Sequence, residues 1–185
     1  MVSVGTKEGV FQAREDKIIQ NLFRLGSVRA RDIMTPRTVA VTVSERQSLR
    51  EFYANRLFRI YSRIPVYADN PDFITGYVLK QNVLEELADD RFDVRLANIR
   101  RPVLSFSEDE TVSAIWEEML KRKEHIAQIH DEYGCFQGIV TMEDVIETLL
   151  GLEIVDETDA VADMQALARE KWRQRLDSGS KPRRT

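Results

Sequence analysis

Hydrophobic residues at helical spacing mark the beginning of the chain. One stripe of a helix with 3.6 residues per turn is formed by Val10, Phe11, Ile18, Leu22 and Leu25. The Gly26-Ser27 pair that follows is typical of a helix stop. The pattern therefore predicts a helix over residues 10–25 that packs with this stripe on the rest of the protein.

The hydrophobic pattern then occurs twice. Three pairs of stretches align, at offsets of 62 to 63 residues: 48–67 with 111–130, 75–79 with 137–141, and 80–87 with 142–149. In each unit the pattern predicts an extended segment, a helix, two short strands and a second helix. Gly134 lies between the two strands of the second unit, where it favours a tight turn.

A period of about 60 residues is too long for a solenoid repeat. We therefore expect an α/β (α+β) fold in which two β-α-β-β-α units pack about a pseudo-twofold axis, with clefts between them that suit a ligand. The predicted organisation is a lead-in and helix, a first repeat, a second repeat, and an acidic segment with a C-terminal helix and basic tail, over residues 1–27, 28–90, 91–152 and 153–185.

The last part of the chain has its own apolar pattern. Residues 163–176 predict a helix with one apolar side, which is made of Met164, Leu167, Ala168 and Trp172. The stretch between the second repeat and this helix is acidic. Its acids at 153–159 are either solvated or loose oxygen ligands for a divalent cation.

Composition narrows the class of protein. The chain has 185 residues, 43% hydrophobic and 31% charged, which is typical of a globular protein and excludes wholesale disorder. No apolar window is long enough to span a membrane, and the N-terminus lacks a signal-peptide pattern. A single cysteine, Cys135, excludes an internal disulfide and fits a reducing, cytoplasmic setting.

Charge is unevenly distributed along the chain. The net charge is −4, but residues 169–185 carry seven Lys or Arg against two acids, so the remainder is strongly acidic. Such a body is a poor binder of duplex DNA, because neutralising phosphates requires clustered cations. The basic tail is either a solvated chain end or a contact for anionic lipid or a partner.

The string Gly138-Ile-Val-Thr-Met-Glu-Asp144 is the most informative stretch for chemistry. It places Thr141 at a junction of strand and helix and Asp144 one turn into the helix. In one interpretation these residues only cap the helix. In the other, the helix N–H groups and the Thr141 hydroxyl receive a phosphate, and ionised Asp144 accepts hydrogen bonds from the two hydroxyls of a ribose.

Other reactive residues have no partners for chemistry at suitable spacing. His125 and His130 are five residues apart, which is not a ligand spacing on one helix face. Cys135 lies in a predicted turn without a neighbouring array of His and acids, so neither a zinc site nor a nucleophile is expected. We predict that the chain is not an enzyme.

Four ordered motifs carry a resemblance to a known family over about residues 10–155. They are Arg31-Asp-Ile-Met-Thr-Pro-Arg37, Ser62-Arg-Ile-Pro-Val-Tyr67, Asp131-Glu-Tyr-Gly134 and the 138–144 string. The sequence resembles tandem cystathionine-β-synthase (CBS) domains, the Bateman module, and most closely those of the CorC/HlyC and cyclin-M family of membrane ion transporters.

The resemblance implies an adenine-nucleotide site between the repeats. Asp144 would hold the ribose, and Thr141 would contact phosphate or sugar. Apolar groups and backbone would flank the adenine, from the segments His125-Ile126-Ala127 and Pro102-Val103-Leu104. Arg37 and Arg63 are candidates for a phosphate clamp, since a guanidinium fork matches phosphate oxygens. The alternative for either arginine is a salt bridge to the acidic second half.

The first repeat departs from the nucleotide-binding string. Leu79 stands at the position of Thr141, and Asn82 stands at that of Asp144. Leucine offers phosphate nothing, and asparagine hydrogen-bonds a sugar without charge assistance. We therefore predict one competent nucleotide site per chain, built around Asp144.

The resemblance implies a cytoplasmic regulatory module that senses ATP, ADP or AMP, with Mg²⁺ accompanying ATP, and controls a Mg²⁺/Co²⁺ transporter. The expected setting is a homodimer at the cytosolic face of the inner membrane. The transmembrane domain would lie in a longer protein from which this chain is an excised region; the alternative is a free-standing protein. The alternative is a CBS scaffold that uses the cleft only for dimerisation.

Overall fold

The computed structural model describes residues 5–151, with side chains from residue 15 onward except at Leu57. The first half contains, in order, α1 (Gly5–Arg24), α2 (Ala30–Ile33), β1 (Thr35–Pro36), β2 (Val43–Ser44), α3 (Leu49–Ala54), a 3-10 turn (Arg56–Arg59), β3 (Arg63–Tyr67), β4 (Ile74–Leu79) and α4 (Lys80–Ala88). The second half contains α5 (Leu96–Ile99), β5 (Leu104–Ser107), α6 (Val112–Arg122), β6 (Ile126–His130), β7 (Phe136–Thr141) and α7 (Met142–Leu150).

The two predicted α/β units are present, and this confirms the fold class. In the first, β2 is parallel to β3, and β3 is antiparallel to β4. In the second, β5 is parallel to β6, and β6 is antiparallel to β7. The strands and second helices of the two units keep the offsets of 62 to 63 residues seen in the sequence. Gly134 has a φ of 78° in the turn between β6 and β7, as its position predicts.

Each unit donates its leading segment to the other. β1 lies at the start of the first unit but pairs antiparallel with β7 of the second, Thr35 opposite Ile139. Reciprocally, Arg101 lies in the leading part of the second unit and pairs with Tyr77 of β4 through two backbone hydrogen bonds of 2.9 Å. The two predicted repeats, residues 28–90 and 91–152, are therefore interlocked.

The same exchange appears in the two hydrophobic cores. The core of the second repeat includes Leu25, which precedes the first repeat in sequence, and Ala30, which lies at its start. The core of the first repeat includes Leu96, which follows that repeat and is fully buried. Burial of these leading side chains ties each unit to the other, since apolar area removed from water stabilises the folded state.

Helix α1 begins earlier than the pattern predicts, and its packing differs. Leu25, just after its last residue, is 1% exposed, and Ile18 is half-buried. Leu22, which the pattern assigns to the packed stripe, is 45% exposed. Two apolar stripes run along this helix, and only the one nearer Ile18 faces the protein. None of the helices in the described residues is long and apolar enough to cross a membrane. The predicted helix 163–176 and the acids at 153–159 lie outside the described residues.

Candidate functional site

The N-terminus of α7 is closed by a reciprocal pair of side chains. The Thr141 hydroxyl accepts from the Asp144 backbone N–H at 3.4 Å, and Asp144 Oδ2 accepts from the Thr141 N–H at 2.6 Å. The Thr141 hydroxyl also donates to the same carboxylate oxygen at 2.8 Å. This is the capping box that one interpretation of the sequence predicts. Within the described residues both bonds to the carboxylate use Oδ2, so Oδ1 is left to meet a donor from outside.

The carboxyl group of Asp144 has a raised pKa. The residue keeps partial solvent exposure, but protein atoms crowd its carboxyl group. This desolvation raises the pKa of Asp144 to about 7, against the opposing effect of the Thr141 hydrogen bonds, and the nearby acids Glu147 and Glu143 raise it further. A group poised near neutral pH at a helix N-terminus is a candidate functional residue.

The sheet of the second repeat places one predicted base-flanking side chain beside this helix start. Ile126 is directly opposite Thr141 across β6 and β7, so the two share a face of the sheet. Ala127 and Leu104 are neighbours on the other face, where both pack in the core of the repeat. Their side chains therefore do not share a face with Thr141, and only their backbone remains for a ligand on that side.

The backbone of His125 adjoins the sheet face that carries Ile126 and Thr141, and we call this face together with the His125 backbone the wall. The carbonyl of His125 accepts from the N–H of Met142, the first residue of α7, at 3.1 Å. Val103 is half-buried immediately before β5. The structure thus brings three predicted segments, those of His125, Val103 and Thr141, into one sheet.

One side chain of the first repeat makes a contact beside this wall that the sequence did not predict. Tyr77 is 2% exposed, and its hydroxyl donates to Glu124 Oε2 at 2.8 Å, one residue before His125. Burial, and then the bond to Glu124, raises the pKa of Tyr77, so the phenol stays a donor. The only signal in the sequence is that the second repeat has Ile139 at the equivalent position.

The two arginine candidates differ in their surroundings. Arg37 Nη1 is 3.1 Å from Asp72 Oδ1 and 3.3 Å from the Phe136 carbonyl oxygen, at the opposite end of β7 from Thr141. Six strand residues separate the ends by roughly 16 Å. Arg63 begins β3 and has no ion pair among the described residues. Arg37 is thus engaged in a salt bridge within the first repeat, not with the acidic second half that the sequence offered as its alternative. Arg63 lies opposite Leu79, at the position of the first repeat that is equivalent to Ile126.

The equivalent position in the first repeat is built differently. Leu79 precedes α4 without a side-chain hydrogen bond to the helix, so no capping box forms there. Lys80, the first helical residue, donates from Nζ to the Arg59 carbonyl at 3.1 Å. The asymmetry predicted from Leu79 and Asn82 thus extends to the local geometry.

The Asp131-Glu-Tyr-Gly134 motif forms a turn. Asp131 Oδ1 accepts from the N–H groups of Tyr133 and Cys135, both at 2.9 Å. These bonds, that of Cys135 foremost, lower the pKa of Asp131. Histidine, cysteine and acidic side chains form no cluster suited to a metal ion within the described part of the chain.

Comparison with known proteins supports the resemblance. The family described as "CBS domain" matches residues 93–151. The chain is 34% identical over 171 residues to UPF0053 protein sll1254 of Synechocystis, covering 92% of this chain and 49% of that protein. It is 29% identical over 142 residues to the magnesium and cobalt efflux protein CorC of Vibrio cholerae, covering 77% and 48%. The chain thus spans about half the length of these two relatives.

A solved structure agrees with both the sequence and the fold. The CBS domain of a bacterial CNNM/CorC family Mg²⁺ transporter, in complex with ATP, is 32% identical to this chain. The match has a TM-score of 0.70 and covers 75% of this chain and 98% of that one.

Proposed function

Because the chain belongs to the CBS domains of the CNNM/CorC family, we propose that it is a regulatory module that binds an adenine nucleotide, ATP with Mg²⁺ foremost, at the N-terminus of α7. The observation that carries this proposal is the first turn of α7. There a helix N-terminus, the Thr141 hydroxyl and the crowded carboxylate of Asp144 lie together.

Asp144 is the proposed ribose acceptor. Its Oδ2 is held by Thr141, which fixes the carboxylate plane and presents Oδ1. Vicinal hydroxyls donate best to an ionised carboxylate, and each hydrogen bond to a charged group contributes about 1.5–3 kcal/mol. Ligand binding therefore favours the ionised form of Asp144. In the free protein this form is disfavoured by desolvation, which is why the pKa of Asp144 is raised.

The phosphates are proposed to lie toward the helix start and Arg63. A helix N-terminus attracts anions through its dipole. The Thr141 hydroxyl donates to Asp144 in the free protein, so it would have to turn from that carboxylate to donate to a phosphate. Arg63 supplies the charge that a polyphosphate requires, since a guanidinium binds phosphate oxygens in pairs. Arg37 is left out, because its guanidinium is already paired with Asp72.

The adenine is proposed to lie against the sheet face that carries Ile126. A flat apolar base suits an apolar side chain and a few backbone groups, which here come from His125, Ala127, Val103 and Leu104. Tyr77 links the first repeat to this wall through Glu124. A ligand in this position touches a structure shared by both repeats.

Regulation follows if the ligand prefers one arrangement of the repeats or of a dimer. In the longer protein this preference would control Mg²⁺ or Co²⁺ transport, as the names of the relatives suggest. A homodimer is part of the proposal. Leu84 of α4 and Ile146 of α7 occupy equivalent positions, and both are partly exposed, at 43% and 39%. Sedimentation of the full chain with and without ATP measures the dimer.

Calorimetric titration with ATP, ADP and AMP, with and without Mg²⁺, tests the proposal. We expect one site per chain, and a loss of about a hundredfold to ten-thousandfold in affinity for Asp144→Ala, as two charge-assisted bonds are removed. The matched control is Asn82→Ala, the equivalent change in the first repeat, which should leave affinity unchanged. Two equal sites, or full affinity in Asp144→Ala, would contradict the assignment. Absence of binding by every nucleotide would favour a dimerisation scaffold.

A further inference from the structure

Helix α1 has a second apolar stripe that nothing in the described residues covers. Ile19, Leu22 and Phe23 are 53%, 45% and 82% exposed. Their spacing of three and four residues places them side by side on one face of the helix. The opposite side is already used, since Asn21 and Leu25 face the second repeat. The stripe is therefore an unpartnered face on a helix that is itself firmly anchored.

The chain leaves the described structure directly beside this helix. Asn21 Nδ2 donates to the Leu149 carbonyl at 3.1 Å, which holds α1 against the end of α7. Gly151, the C-cap of α7, lies so close to Asn21 and Lys17 that a Cβ there would be 2.9 Å from Asn21 Nδ2 and 3.3 Å from Lys17 Cε. The last described residue, Gly151, therefore lies beside α1 at the same level along the helix as the stripe, on the opposite side.

We propose that the C-terminal segment of the same chain, residues 163–176, covers this stripe. Its sequence predicts a helix with one apolar side, made of Met164, Leu167, Ala168 and Trp172. An isolated helix of this length is marginal in water, so it needs an apolar surface to pack on. The stripe on α1 is a matching surface: both faces present side chains at spacings of three and four residues.

The tether allows this contact and favours it over a second copy. Twelve residues lie between Gly151 and Met164, and such a linker spans up to about 40 Å when extended. A short linker also keeps the segment at a high effective concentration, about millimolar, near its docking face. This inference does not depend on nucleotide binding, because the stripe is on α1 rather than at Thr141.

Fluorescence of Trp172 tests the proposal in the chain of 185 residues. Trp116 is the other tryptophan, so a Trp116→Phe background leaves Trp172 as the sole reporter. We expect a blue-shifted emission and protection from acrylamide at all protein concentrations. Phe23→Glu should shift the emission to the red and raise quenching several-fold. Gln20→Glu, on the same helix but off the stripe, is the matched control and should change neither.

Several outcomes would overturn the proposal. One is full quenching of Trp172 fluorescence by acrylamide in the parent chain. Another is that Phe23→Glu and Gln20→Glu change the emission and quenching of Trp172 equally. Protection that appears only as protein concentration rises, and that Phe23→Glu abolishes together with a dimer, would assign the stripe to a second copy instead.

A crosslink provides the same test should Trp116→Phe fail to fold. In a Cys135→Ser chain, the pair Ile19→Cys and Ala168→Cys should form an intramolecular disulfide on mild oxidation. The pair Arg24→Cys and Ala168→Cys is the control from another face of α1. Equal crosslinking of the two pairs would overturn the proposal.

Discussion

Asp144 meets two opposing demands at the scale of a single residue. Its carboxylate closes the N-terminus of α7 and is also the proposed ribose acceptor, yet its surroundings disfavour the charge, so its pKa rises to about 7. An acid whose folded-state pKa exceeds its unfolded value costs stability when ionised. This penalty is absent below about pH 4, accumulates as pH rises toward 7, and stays constant above that.

Asp144→Asn should therefore stabilise the ligand-free protein at pH 8. Asparagine keeps an oxygen acceptor for the Thr141 N–H and carries no charge, so we expect a gain of about 1–3 kcal/mol in the free energy of unfolding. At pH 4.5 the gain should shrink to about a quarter of its value at pH 8, because most of the ionisation penalty accumulates between these pH values. Urea unfolding of both chains at the two pH values measures this. A variant that is less stable at pH 8 would mean that the ionised carboxylate stabilises the helix start.

Gly138 of β7 allows the backbone of β1 to approach closely. A Cβ at this position would overlap the carbonyl oxygen of Thr35, on the strand that the first repeat donates to β7. Gly138→Ala should therefore push β1 away and cost about 1–3 kcal/mol, as overpacking does. Gly26→Ala is the control, because a Cβ there meets nothing within 4 Å. Equal unfolding midpoints for the two variants would show that β1 moves freely.

Some of the site could be predicted from single residues and some could not. The spacing of Thr141 and Asp144 reveals a helix start, because capping is local in sequence. The pairing of Arg37 with Asp72, and that of Tyr77 with Glu124, join residues 35 and 47 positions apart. One sequence contains no periodic signal for such contacts, which depend on how the two repeats meet.

At the scale of elements, the bond from Tyr77 to Glu124 joins β4 to the segment between α6 and β6. Tyr77→Phe removes only the hydroxyl, so packing should persist while a hydrogen bond to a charged group is lost. We expect a loss of about 1.5–3 kcal/mol in the free energy of unfolding.

Tyr133→Phe is the control for that change. Tyr133 is 79% exposed in the turn between β6 and β7, so the loss of its hydroxyl should leave stability unchanged. Guanidinium unfolding of the two variants compares them directly. A Tyr77→Phe variant as stable as the parent would mean that the bond to Glu124 adds nothing beyond solvation of both groups.

The elements themselves were predictable because the same hydrophobic pattern occurs in both repeats, so each repeat confirms the elements predicted for the other. Strands β3, β4, β6 and β7 and helices α4 and α7 recur at nearly constant offsets. What the pattern missed is the exchange of leading segments. Thr35 and Arg101 cross to the other repeat's sheet, and the two-residue strand β1 is too short for a periodic signal. The exposure of Leu22 was missed for a related reason, since α1 carries two apolar stripes and only one is packed.

At the scale of the molecule, the exchange makes two repeats into one folding unit. Leu25 and Ala30 complete the second core, and Leu96 completes the first. Damage to one core should therefore destabilise the other, which independent repeats would not do.

Leu96→Ala tests this coupling. The side chain is fully buried in the first core, so we expect a loss of about 2–5 kcal/mol. In a Trp172→Phe chain, the fluorescence of Trp116 reports the second repeat, and its unfolding midpoint should move together with that of the far-ultraviolet circular dichroism. An unchanged Trp116 midpoint would show that the repeats unfold separately.

The central claim for the whole molecule is that it binds an adenine nucleotide through the carboxylate of Asp144. ATP affinity at pH 6 and pH 8, for the parent and for Asp144→Asn, tests it most directly, because protonation of ATP itself affects both chains alike. With a pKa of about 7, the ionised fraction of Asp144 rises about tenfold between these pH values. The parent should bind more tightly at pH 8 by about that factor beyond any change in the variant. Equal pH dependence in both chains, or full affinity in Asp144→Asn, would contradict the claim.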